Sequence, residues 1–119
     1  MEIFTGKNKI EFEKWYPEHM KESHGYNYTC DEADIEFFYC VAKSFQQGVY
    51  LEYLDSRNDK VIPDYNINKK MWFAWLIGDN NRVRLMSEGS GRNVLYFDTR
   101  QEALMEAFKK ADELINSNN

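Results

Sequence analysis

Two histidines, His19 and His24, and two cysteines, Cys30 and Cys40, are the residues of this 119-residue chain with the chemistry to grip a soft metal ion. A structural zinc site needs four such ligands in a tetrahedron, and its cysteines usually come in pairs about two to four residues apart. Here nine residues separate Cys30 from Cys40, and Cys40 falls among apolar positions at helical spacing. The expectation is two surface histidines and a buried thiol, with no metal and no other cofactor. Calcium fares no better. Asp55 and Asp59 in DSRNDK have the spacing of loop ligands, yet Arg57 stands where the third ligand belongs and Asn66 where a bidentate Glu is needed. A hydrophilic hairpin turn is the simpler reading.

Nucleophilic catalysis requires a base within hydrogen-bond reach of a Ser or Cys and a third group that orients the base. No G-x-S-x-G stretch is present, and the histidines fall in an expected helix end and loop. Carboxylates are plentiful at Glu11, Glu13, Glu18 and Glu22 and again from Asp31 to Glu36, spaced as on solvated helix faces. The GSGR stretch at 89–92 lacks the lysine of a phosphate-binding loop and reads as a hairpin connection. No catalytic residue is assigned, and the chain is expected not to be an enzyme. The best chemical alternative is nucleic-acid binding. Arg82 and Arg84 are two apart on an expected strand, opposite in face to Val83 and Leu85, with Arg92 in the next loop and Arg100 opening the last helix. Tyr96 or Trp75 would offer a stacking ring. The competing reading is an exposed strand face that uses arginine for solubility and to discourage edge pairing.

Charge tempers that alternative. The formal net charge is −5, with eleven acids against five lysines in residues 1–56 and nine acids against ten basic residues in 57–119, all five arginines among them. Such a balance disfavours whole-molecule attraction to DNA or anionic lipid and leaves room for a local basic face on the C-terminal half. Aromatic residues make up 16% of the chain. That content argues for a packed core in a single domain over 1–119. No stretch approaches the roughly eighteen apolar residues of a membrane span, and MEIFTGKNKIEF lacks the apolar run of a secretory signal, so the cytosol is the expected compartment.

The elements that would position these residues form an α+β pattern: N-terminal helices, an antiparallel sheet of four to five strands, and a C-terminal helix packed on the sheet. Asn8 and Glu11 have capping-box spacing ahead of a helix bearing Phe12, Trp15, Tyr16 and Met20 on one face, with a kink or break expected at Pro17. A second helix is expected from Asp31 to about Gln46. GVYLEYLDS alternates like a strand, KVIPDYNIN is demoted to an edge by Pro63, and MWFAWLI is apolar on both faces with helices over one of them. RVRLMSE and NVLYF complete the sheet. Thr99 and Glu102 form a T-x-x-E box, followed by a stripe of Ala103, Leu104, Ala107, Phe108, Ala111, Leu114 and Ile115, and 113–119 is expected to fray in part.

Three segments, TGKNKIEFEKWY, QQGVYLEYLDS and TRQEALMEAFKKADELIN, resemble a group of short uncharacterised proteins encoded by phages and prophages of gut bacteria. Gln47 stands where that group prefers Trp, and Tyr53 and Leu54 where it prefers Phe. The resemblance implies a bacterial host cytosol and brings no catalytic residue with it. Together with aromatic surface at Tyr26, Tyr28, Tyr50, Tyr65 and Trp75 that one core need not hide, it suggests an accessory protein that binds another protein, such as a host defence or nucleic-acid-handling protein.

Overall fold

The last helix begins where its box predicts. In the computed structural model, which describes residues 3–24, 32–78, 82–85, 87–88 and 93–117, the N–H of Glu102 donates to Thr99 Oγ1 at 3.1 Å. Helix α4 then runs Arg100–Ser117 and buries Ala103, Leu104, Ala107, Phe108, Ala111 and Ile115. The small residues of that stripe let the helix lie close on the strands β1 (Lys60–Asn66) and β2 (Met71–Gly78), which receive it through Val61, Ala74 and Leu76. Within the described residues α4 continues through 113–117, with Ile115 buried and the side chain of Asn116 bonded to the N-terminal segment.

The single antiparallel sheet of four to five strands does not form. Its body is the β1–β2 hairpin, paired from Lys60↔Ile77 to Asn66↔Met71. β3 (Arg82–Leu85) adds to the far half of β2, and Phe97 makes a lone bridge to Trp72 through two N–H···O bonds of 2.8 Å. β4 (Ser87–Glu88) and β5 (Asn93–Val94) pair only with each other, two residues apiece. The missing strand is GVYLEYLDS, which is helical. Gln46, Gln47, Val49, Tyr50, Tyr53 and Leu54 recur at three- and four-residue intervals and are all buried, so burial on a 3.6-residue period overrides the β preference of Val and Tyr.

Among the described residues three helices precede the sheet. α1 (Gly6–His24) is continuous across Pro17, with Phe12 and Tyr16 both buried against Phe38. The expected second helix is two: α2 (Glu32–Phe38) and α3 (Lys43–Ser56). Between them Gln46 folds back and its Nε2 donates to the carbonyls of Tyr39 and Val41 at 3.1 and 3.0 Å, satisfying backbone acceptors that a continuous helix would have used. DSRND is the end of α3 and not a hairpin turn. Asn58 takes φ of 65°, Asp59 N–H donates to Leu54 O and Asn58 N–H to Asp55 O, the bonding of a Schellman stop.

α1 is capped from a distance. Asn8, expected as its own cap, lies inside the first turn and is fully buried. Asp112 and Asn116 of α4 supply the acceptors: Thr5 N–H donates to Asp112 Oδ1 at 2.9 Å, Thr5 Oγ1 to Asp112 Oδ2 at 2.6 Å, and Asn8 N–H to Asn116 Oδ1 at 2.9 Å. Asn8 Nδ2 also donates to Asp112, and Asn8 Oδ1 accepts from the Tyr53 hydroxyl at 2.8 Å. Gly6, at φ of 54°, lets the chain turn into the helix where a Cβ would meet the Asn116 side chain. TGKN is thus a structural latch.

Tyr53 carries a pH consequence. Burial pushes its phenol from 10.0 to about 12, against the pull of the neighbouring Arg57 guanidinium. A raised folded-state value means that the stabilisation is whole below the unfolded value and is lost as pH climbs through the folded one. Urea denaturation followed across that alkaline window should therefore show a decline that Tyr53→Phe flattens. Equal declines in both proteins would assign the titration to another group.

Candidate functional site

The two faces of the β1–β2 hairpin differ in what covers them. Trp72 exchanges its backbone bonds with Phe97, so the even positions of β2 turn their N–H and C=O away from β1, and 71, 73, 75 and 77 bond to it. Side chains at Val61, Ala74 and Leu76 face α4 and are buried. The opposite face presents Ile62, Phe73, Trp75 and Ile77, joined by Tyr96, whose ring centroid lies 6.0 Å from that of Phe73. Ile62 is 44% exposed and the others are half-buried, with no described helix packed across them.

Polar groups frame this apolar face. Trp75 Nε1 donates to Asp64 Oδ2 at 3.4 Å, Asn66 Nδ2 donates to the Tyr96 hydroxyl at 3.3 Å, and the Lys69 ammonium lies 5.0 Å from the Tyr96 ring centroid. Asp64 has a second task. Its Oδ1 accepts the N–H of Tyr65, and Pro63 has no N–H at all, so two consecutive outward positions on the free edge of β1 offer no donor to another strand. The edge is blunted, while among the described residues no helix covers the face.

The sequence-derived arginines are placed only in part by the described residues. By register Arg82 pairs with Gly78 and Arg84 with Leu76, whereas Val83 and Leu85 pair with Ile77 and Trp75 of the open face. Arg92 lies outside the described residues, and Arg100 is exposed at the start of α4. Of the four, only Arg82 and Arg84 share an element. Phe73 meets Trp75 at an interplanar angle of 63° and Tyr96 at 70°. Such edge-to-face rings do not present the parallel platform on which successive bases stack.

The remaining candidates are placed as follows. His19 stacks on Trp15 at 4.4 Å between ring centroids and its Nε2 lies 2.6 Å from Glu52. Cys40, expected to be a buried thiol, is exposed because it falls in the turn after α2 instead of inside a longer helix. Cys30, Tyr26 and Tyr28 lie outside the described residues. Asp59 pairs with Arg57, which also binds Glu11 and so ties α1 to the end of α3. Among the described residues no three His, Cys, Asp or Glu side chains converge as metal ligands, and no helix is long and apolar enough to cross a membrane. Tyr50, counted among the surplus aromatic residues, is fully buried, while Tyr65 is 40% exposed and Trp75 half-buried. Ile62, Phe73 and Ile77 were missed as surface residues, although a strand apolar on both faces with helices on one side already implies an open apolar face. Comparison with protein-family models, curated proteins and solved structures finds no match to this chain.

Proposed function

We propose that this protein acts as an accessory factor that binds another protein, and that the open face of the hairpin is the surface it uses. One observation carries the reading: Ile62, Phe73, Trp75, Ile77 and Tyr96 form a contiguous apolar set with aromatic anchors and a polar rim of Asp64, Asn66 and Lys69. An apolar centre rich in Trp and Tyr inside a polar rim is the usual anatomy of a protein interface. The blunted β1 edge favours docking on the face over strand addition. The phage or prophage setting implied by the sequence resemblance makes a host-cell protein the partner, with a defence or nucleic-acid-handling protein as the specific form.

The test is a comparison of wild type with Ile62→Glu plus Trp75→Arg, both changes directed at solvent-facing positions of the hairpin. The expected result is a stoichiometric partner retained from bacterial lysate by wild type and lost by the variant, with the melting curve little changed. Recovery of no stoichiometric partner, or equal recovery by both proteins, would count against the face. A second reading, nucleic-acid binding, is supported by the Lys69 ammonium over Tyr96. In the same assay it requires an oligonucleotide complex that weakens steeply with salt and is lost on Arg82→Glu with Arg84→Glu.

A further inference from the structure

The first turns of α3 and α4 and the Phe97 bridge enclose a cleft of about 630 Å³. Small-molecule sites span roughly 300–1,000 Å³, so the space is adequate for a compact ligand. Its walls are chemically divided. Lys43, the first residue of α3, brings an ammonium, Glu102, in the first turn of α4, brings a carboxylate, and a second carboxylate on the lining, Glu106, is paired with Lys109 at 3.2 Å. Neither Lys43 nor Glu102 has an ionic partner among the described residues, and the two do not pair with each other. Phe97 and Met105, both half-buried, supply an apolar surface. Gln47 is 4% exposed, and its Nε2 reaches the Gln101 carbonyl only at 3.4 Å.

We infer that this cleft binds a small zwitterion with an apolar side chain, the chemistry of a free aliphatic or aromatic amino acid. The ligand carboxylate meets Lys43, whose charge adds to the positive end of α3, a helix to which Ala42 gives no side-chain cap. The ligand ammonium meets Glu102. The side chain lies on Phe97 and Met105, and the Gln47 amide lines the same cleft as a polar group for either end. Ligands bearing only one of these charges leave the other cleft charge unanswered, which is how the site would discriminate. The cleft shares no residue with the open face of the hairpin, so the two proposals fail separately.

Titration of isotope-labelled protein with free leucine and free phenylalanine tests this directly. The expected result is a saturable shift of backbone amide resonances at 43–47 and 99–106. N-acetyl-leucine and leucinamide each lack one charge and should bind about tenfold more weakly, as should free leucine to Lys43→Met or Glu102→Gln, a factor of about 1.4 kcal/mol. Both substitutions are at exposed positions, and the Thr99 cap uses the backbone N–H of Glu102 and not its carboxylate, so folding is retained. Absence of a saturable shift at tens of millimolar, or equal binding of the blocked compounds, would overturn the assignment.

Discussion

Replacement of Phe108 by alanine is expected to remove about 3 to 5 kcal/mol of folding stability, the usual cost of deleting a buried ring. Phe108 has no exposed surface and meets the Tyr50 ring at 5.5 Å between centroids in an edge-to-face contact. Tyr50 in turn touches Phe4 at 4.6 Å, Phe12 at 5.3 Å and Phe38 at 5.6 Å, so the lost ring opens a void at the junction of α4 with the whole aromatic centre. The neighbours are pinned by one another and have little room to collapse into it. A urea denaturation midpoint indistinguishable from wild type would show that α4 does not close the core.

Asp112→Ala is expected to be comparably severe, at about 3 kcal/mol or more, since it strands donors inside the protein. The carboxylate is 5% exposed and accepts from Thr5 N, Thr5 Oγ1, Asn8 Nδ2 and Asn116 Nδ2. It also places a negative group at the positive end of α1, where a cap is worth about 1 kcal/mol. Asp112→Asn keeps the shape and one acceptor and should cost less. Hydrogen exchange supplies a second readout: the amide of Thr5, whose acceptor is Asp112, should lose protection in Asp112→Ala while those of the β1–β2 hairpin keep it. Unchanged protection at Thr5 in Asp112→Ala would show that Asp112 does not hold the entry to the helix.

What could be seen in the sequence followed locality. α4 was legible because its start signal, its stripe and its burial all lie within one segment, from the Thr99 cap to Ile115. β2 was legible as an unbroken apolar run, and β1 as an edge strand, because Pro63 has the same consequence wherever it stands in a ladder. α3 was misread because Val49, Leu51 and Tyr53 fit a two-residue period while Val49, Tyr50 and Tyr53 fit a helical one, and only the aromatic partners Phe4, Phe12 and Phe108 decide between them. The cap of α1 was misassigned to Asn8 for a related reason: the acceptors come from residues more than a hundred positions away, at Asp112 and Asn116. The open face was half legible. Its residues were known to be apolar, but the strand face that α4 leaves bare emerges only from register.

That long-range cap bears on how the protein is made. On a ribosome, the segment that becomes α1 leaves the exit tunnel ahead of α4, so its opening turn finds Asp112 and Asn116 only after the hundred or so residues between them have been translated. Synthesis at about 5–20 residues per second leaves that helix waiting for several seconds with Ile3, Phe4 and Phe12 uncovered. This turn therefore closes late, and a truncation or stall before residue 112 releases a polypeptide whose first helix lacks the cap while keeping its contacts to Arg57 and Phe38.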